Sequence, residues 1–583
     1  MKISELFKDI LKGIRNSIRR FPETIGISTA CVILLIYMHE LGYGPGNQLR
    51  ETLARVTMVL ALGIPLSLCI KLYFERIKDY KKSIFYGTYV AGALLLIIYY
   101  HVFLNDFEMV SITRYIGISL ILYLIFICIP YLPKRDNFEL YVIRVFARFF
   151  TTILYSVVLY LGLAAILFTI DQLLGINIKG EIFYYTWLIV VGVFAPSFFL
   201  AGLPQNNEEL FLKDYSKLIK VLVLYIIIPL ISVYTIILYL YFGKIIITRQ
   251  WPQGLVSHLV LWYSAISAAV IFLISPLLNK NPWIKKYIKV FPKAILPLII
   301  MMFISIGIRI NAYGITENRY FVVALGIWVF LVMIYFSFTK EMKNIVLPIS
   351  LAVIIFVSLF GPLSSFSISK YSQNKRFEKI LLRNNMIKNK KAVKASSDVS
   401  KNDLREISSI LSYFNRSHSL DDVRSLPKGF KLKDMEKVLG VKYKEQYYYN
   451  DDEYFYFDVL DNTEAIDIRG YEYLFDLRNH IFQESKDIPL SVNYNDTLSR
   501  LSIKENGEEI YSIELTDFAE ALIEKYGANQ NNKGLSVKEM SIEDENDKIK
   551  VKIQFSYISG NKKSSTEKIE SLRFGFNVFV KVK

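Results

Sequence analysis

Apolar runs near the length of a bilayer crossing recur along the first 361 residues and then stop. A span needs about 20 mostly apolar residues. The runs cover approximately 24–41, 54–73, 84–104, 112–132, 149–172, 182–203, 219–242, 256–278, 293–309, 319–338 and 343–361, with short polar loops between them. From Lys370 onward the chain is charged and holds no comparable run. The pattern predicts an α-helical polytopic membrane domain of about 11 transmembrane helices, followed by a water-soluble domain.

Before the first run, Ile3, Leu6, Phe7, Ile10, Leu11, Ile14 and Ile18 recur at helical spacing, with Lys8, Lys12, Arg15, Arg19 and Arg20 between them. This is a basic amphipathic helix suited to the inner membrane surface; the alternative is a target helix for a partner protein. Pro22 ends it. The run from Thr24 has no small-residue cleavage site and is expected to stay as the first span.

Beyond the last run, residues 362–383 leave the membrane with small polar residues and turn helical, and 388–401 read as a charged linker or loop. Short helices are predicted at 402–415 and 430–439. Residues 447–460 and 464–477 interleave aromatic and acidic positions, a strand signal. Residues 501–504 and 510–515 flank Asn506-Gly507, the dipeptide of a tight hairpin turn. A helix over 517–526 and two or three strands in 535–582, broken at 544–547 and at Gly560-Asn561, complete a C-terminal α+β domain with a mainly antiparallel sheet. The predicted divisions are 1–22 (interfacial helix), 23–361 (transmembrane), 362–401 (exit helix and linker) and 402–583 (soluble).

The net charge of +16 changes meaning once it is partitioned. Residues 1–361 carry 33 Lys/Arg against 18 Asp/Glu, and 362–583 carry 36 against 35. The excess sits in the membrane part, so a nucleic-acid partner, which needs a basic face on a soluble domain, is excluded. With the N-terminus cytoplasmic, the inner loops and adjoining span ends carry 25 Lys/Arg and the outer ones 8. The positive-inside rule selects that orientation. An odd number of spans then places the C-terminal domain outside the cytoplasm. The three cysteines, Cys31, Cys69 and Cys128, fall inside predicted spans and read as small packing residues.

No phosphate loop, HExxH, CxxC pair or GxSxG elbow is present, and the five histidines show no ligand spacing. Neither a metal nor a cofactor is expected. Candidate chemistry lies with ionisable residues at the outer bilayer edge, which are costly unless they face a cavity or partner: Glu40 with His39, Arg114, Asp171, Lys244, Arg309, Glu317 and Arg319. The segment 309–320 (RINAYGITENRY) is the densest. Arg309 and Arg319 suit a phosphate or carboxylate, such as an anionic lipid or an envelope precursor. Asn311, Tyr313 and Glu317 complete the group, Gly314 permits the tight turn, and Asp171 is the expected counter-ion. The competing structural account is interfacial snorkelling with a local Arg–Glu pair that fixes a helical hairpin. Glu40 and Glu51 form an alternative acidic site. Pro65, Pro196, Pro229, Pro276, Pro297 and Pro348, in or near spans, mark places where a backbone hydrogen bond is lost.

The pair RINAYGITENRYF and GPLSSFSISKYSQNKR, through Arg309, Tyr313, Gly314, Thr316, Glu317, Arg319, Gly361, Pro362, Ser369 and Gln373, resembles a bacterial polytopic membrane protein family catalogued as domain of unknown function 4153. The stretch around Gly470 and Leu474 resembles that family's soluble tail. The resemblance implies a bacterial cytoplasmic-membrane protein and carries over no activity. The expected function is a non-enzymatic transport or envelope-assembly component with an extracytoplasmic sensing or docking domain. The alternatives are a polytopic transferase acting on a lipid-linked sugar, with Glu40 or Glu51 as base, and a signalling receptor that needs a separate cytoplasmic partner.

Overall fold

The computed structural model describes residues 3–42, 48–77, 79–132, 137–205, 208, 210–211, 215–249, 255–278, 281–339, 342–396, 398–443, 452–460, 466–478, 482–484, 489–527, 533–563 and 569–583. Trp251, Lys280, His480 and residues 447–451 of the acidic aromatic run lie outside them. The chain forms two compact units, Met1–Glu445 and Gln446–Lys583. The soluble domain expected from residue 402 onward begins inside the first of these units.

The first unit begins with α1 (Ile3–Arg20) and α2 (Pro22–Glu40). There follow α3 (Gln48–Phe74), α4 (Lys82–Phe103), α5 (Met109–Cys128), α6 (Phe138–Leu174), α7 (Gly180–Ala201), α8 (Ile219–Thr248), α9 (Leu255–Ile274), α10 (Pro282–Tyr313), α11 (Glu317–Phe338) and α12 (Val346–Leu359). Among the described residues, ten of these helices, α2 to α11, are long and apolar enough to cross a bilayer. The eleventh predicted span is α12, whose 14 residues cover roughly 21 Å at 1.5 Å each. Its flanks make up the difference. The Lys343 N–H donates to the Tyr335 hydroxyl at 2.5 Å, Trp328 Nε1 to Ser350 Oγ at 3.0 Å and the Tyr320 hydroxyl to the Leu363 carbonyl at 2.6 Å. Residues 343–363 therefore run antiparallel beside α11 for its whole length.

Polar bonds gather the helix ends onto two opposite faces. On one, Arg20 at the end of α1 reaches Glu75 after α3 (2.8 Å) and the Leu203 carbonyl after α7 (2.9 Å). Arg76 reaches the Ile129 carbonyl after α5, and Asn344 before α12 joins Glu139 of α6 to Ser275 after α9. On the other face, Arg55 of α3 donates to the Leu104 and Asn105 carbonyls after α4, and Tyr185 of α7 to Glu40 of α2. The turn between α10 and α11 lies on this second face with Leu363.

Two proline sites show how lost backbone bonds are made good. A five-residue π-helix, Val190–Phe194, precedes Pro196, and a six-residue one, Leu222–Ile227, precedes Pro229. Pro196 has no N–H for the Gly192 carbonyl, and Ser28 of α2 donates to that oxygen instead, at 2.5 Å. Gly192 allows the approach: a Cβ there would sit 2.2 Å from Val32.

After α12, the helices α13 (Ser365–Arg383) and α14 (Lys401–Ser417), with the short α15 (Met435–Leu439), build a separate small core. Ile407, Ile410, Leu411 and Phe414 repeat at helical spacing and pack on Phe377, Ile380 and Leu381. The predicted 388–401 linker is in part a hairpin, β1 (Ile387–Lys388) with β2 (Lys391–Ala392), turned by Asn389 and Lys390 at positive φ.

The second unit holds β3 (Asp452–Val459), β4 (Tyr473–Asp476), β5 (Phe482–Glu484), β6 (Leu490–Asn495), β7 (Arg500–Glu505), β8 (Glu508–Glu514), β9 (Lys533–Leu535), β10 (Ser541–Glu545), β11 (Ile549–Lys563) and β12 (Ile569–Val582), with helix α16 (Thr516–Tyr526). One sheet has the order β4-β12-β11-β3-β9 with β10 also on β11; the other runs β5-β6-β7-β8. Among the described residues, all pairings are antiparallel except β3 with β9. The Asn506-Gly507 hairpin forms as predicted, with φ of 49° and 86°. The predicted break at Gly560-Asn561 does not occur. β11 runs through it with a register irregularity, because glycine lets the Phe455 ring lie where a Cβ would be 2.9 Å away.

Candidate functional site

The predicted group at 309–320 is built on the turn between α10 and α11. Gly314 ends α10 at φ 70°, a left-handed conformation that favours glycine. A Cβ there would also lie 2.9 Å from Gln373 Nε2. Helix α13 therefore sits directly against the turn. Buried Gln373 donates to the carbonyls of Tyr313 (3.1 Å) and Ile315 (3.0 Å), and Ser372 Oγ accepts from the Ile315 N–H at 2.9 Å. Arg319 donates to the Tyr313 and Gly314 carbonyls (3.2 and 2.8 Å), and Arg376 to Tyr313 (3.3 Å). The two guanidiniums lie 5.5 and 5.9 Å from the Tyr313 ring. The end of α10, whose carbonyls have no helical partner, is thus capped by three side chains.

Glu317 starts α11 and is buried, 6% exposed. A buried carboxylate is strongly destabilising without donors. It has two: the Tyr413 hydroxyl of α14 and His418 Nε2, each 2.7 Å from Oε1. Tyr413 and His418 lie 2.9 Å from each other. With the His418 proton on Nε2, both donors converge on one oxygen. Burial, and then the Glu317 charge, push the Tyr413 phenol well above its usual range, so it remains a donor. Ser369 is wholly buried beside Tyr413.

The start of α13 is fixed from the other side. The Arg114 guanidinium stands 5.4 Å from the Phe366 ring, 5.5 Å from Phe103 and 5.7 Å from Phe360. Further along, Lys370 pairs with Asp422 (3.1 Å) and Arg376 with Glu406 (3.3 Å), and Asn374 bonds the backbone of Asp422 and Arg424.

The structure brings Tyr313, Glu317 and Arg319 together but assigns them to the protein's own backbone and side chains. Arg309 is half-buried and Asn311 exposed; neither has a polar partner among the described residues. Asp171 is not the counter-ion of these arginines. Its oxygens accept from the Ile178 N–H (2.9 Å) and Gln172 (2.7 Å) at its own helix end, because the left-handed Gly175 folds the loop back over it. Glu40 is held by Tyr185, which also contacts His39 at 3.0 Å. Glu51 is exposed in the first turn of α3. Sequence spacing missed Tyr413 and His418, about a hundred residues from their partner. The available signal was an aromatic on the flank of an amphipathic helix and an imidazole just past its end.

The comparisons with known proteins agree with the helical part. An uncharacterized protein of Pasteurella multocida (strain Pm70) is 24% identical over 340 residues, 56% of this chain and 56% of that relative, so the chain spans little more than half the relative's length. No solved structure matches. Residues 26–393, more than half the chain, match the family described as Domain of unknown function (DUF4153). That segment contains Glu317 and ends before Tyr413 and His418. The chain belongs to this family, a Domain of unknown function (DUF4153) protein.

Proposed function

We propose that this protein is a non-enzymatic, multi-pass component of the bacterial cytoplasmic membrane, serving transport or envelope assembly. Its N-terminus is cytoplasmic and the unit after residue 445 is an extracytoplasmic docking or sensing domain. The observation that supports this reading is the buried bond of Glu317 to Tyr413 and His418. It ties the outer turn of the last long span pair to the module through which the chain continues to the β unit. The helical segment 365–443 therefore behaves as an extension of the bundle, and a load or partner on the C-terminal side is felt at the spans. The transferase alternative needs a free carboxylate at the outer edge. Glu40 is engaged, which leaves Glu51.

Complementation of a deletion strain, scored by envelope sensitivity to detergent, tests this. Glu317→Ala is expected to lose complementation while its membrane level stays normal, and the double variant Glu40→Gln/Glu51→Gln to complement fully. Full complementation by Glu317→Ala contradicts the coupling role. Loss with the double variant at normal level favours the transferase.

A further inference from the structure

A cleft of about 460 Å³ opens on the face where α1 packs, between α1 and the end of α7. Its floor includes Ala201 and Leu203, and its polar lining is Asn16, Ser17, Arg19, Arg20 and Gln205. Among the described residues, no Asp or Glu lines it. The Arg20 guanidinium is spent on Glu75 and on the Leu203 and Pro204 carbonyls. That fixes the end of α1, as does Ser17 Oγ, which donates to the Ser197 carbonyl at 2.8 Å. The Arg19 guanidinium and the amides of Asn16 and Gln205 have no polar partner among the described residues. The cleft therefore offers one unpaired positive charge and two amide groups with unspent donors, and no carboxylate among its described lining residues competes with a bound anion. Guanidinium and amide N–H groups suit a phosphate.

The surroundings select the kind of phosphate. Lys12, Arg15 and Ile18 are exposed on the outward side of the same helix, a basic face with an apolar residue among the charges. This is the signature of a helix lying at headgroup depth. We propose that the α1–α7 cleft binds the phosphate of an anionic phospholipid headgroup, with Arg19 as its charge partner and Asn16 and Gln205 as hydrogen-bond donors. Bound lipid then holds α1 against the bundle at the membrane surface.

The test uses the full chain in neutral detergent, incubated with phosphatidylglycerol or phosphatidylcholine, and counts retained lipid by native mass spectrometry. Arg19→Gln/Asn16→Leu is compared with Lys285→Gln/Lys286→Gln, which removes exposed charge from the start of α10 on the same face. Size-exclusion elution checks folding, with Arg19→Gln alone as the milder variant. The expected result is retention of phosphatidylglycerol over phosphatidylcholine, cut about fivefold by the cleft variant and unchanged by the control. Inorganic phosphate at millimolar level is expected not to displace the lipid. Equal retention of the two lipids, equal loss in both variants, or no loss in the cleft variant overturns the proposal. Displacement by inorganic phosphate assigns the cleft to the free anion and overturns the lipid.

Discussion

The helical bundle and the β unit use apolar residues for opposite purposes. In β11, Ile549, Val551, Ile553 and Phe555 are almost wholly buried and alternate with Lys550, Lys552 and Gln554. Their facing is decided by water. On α6, Phe150, Leu154 and Val158 are each 62% exposed, and they are as apolar as the side chains that pack. Lipid covers them equally well, so hydrophobicity does not tell a helix which side to turn inward. In the bundle that information comes from polar groups at helix ends: Arg20 on Glu75, Ser28 on Gly192, Gln373 on the Tyr313 carbonyl.

The contrast is sharpest in truncations. Phe555→Ala is expected to cost the β unit about 3–5 kcal/mol. Leu154→Ala on α6 is expected to change stability by only about 0.5 kcal/mol. Hydrogen exchange on the full chain separates the two units, and equal losses break the contrast. Glu317→Ala removes a carboxylate on which two buried donors converge, and about 3 kcal/mol is expected. The loss should appear as faster exchange across 401–418, with the spans α2 to α9 unchanged. Gly314→Ala forces a Cβ toward Gln373 in a left-handed conformation and is expected to cost about 1–3 kcal/mol at the same junction; exchange in 313–320 checks it.

The smallest effect concerns acid. Hydrogen bonds from Tyr526, Ser536 and Lys525 hold the Glu539 carboxyl down at about 2 from an ordinary 4.5. A depressed folded-state pKa gives a contribution that is full above the unfolded value and is lost as pH falls from about 4.5 toward 2. Protection of α16 is expected to fall modestly over that window in the natural chain. In Glu539→Gln it should not change with pH there.

Much of this architecture was legible in the chain. Ten long apolar helices and the segment beside α11 follow the apolar runs, since span length is set by bilayer thickness. The Asn506-Gly507 hairpin and the helix near 517–526 follow local rules of turn and period. Gly560 misled, because a glycine that makes room for Phe455 looks the same in sequence as one that ends a strand. At the candidate site, Tyr313, Gly314, Glu317 and Arg319 were legible as a polar cluster in an apolar setting. Their partners were not: Tyr413 and His418 meet Glu317 only through the packing of α13 and α14, and no local pattern encodes a contact at such separation. Asp171 was misassigned for the same reason, since a charge at a span end does not reveal whether its own loop folds back over it.

The central claim is that α1 and the module formed by α13, α14 and α15 lie on opposite faces of the bundle, α1 inside and the module outside. Impermeant maleimide added to spheroplasts tests it directly. Single cysteines are introduced by Lys12→Cys or Lys433→Cys, both exposed positions, with Cys31, Cys69 and Cys128 replaced by Ser. The account predicts that Lys433→Cys is labelled at once and Lys12→Cys only after the membrane is opened; labelling of both from one side, or the reverse order, contradicts it.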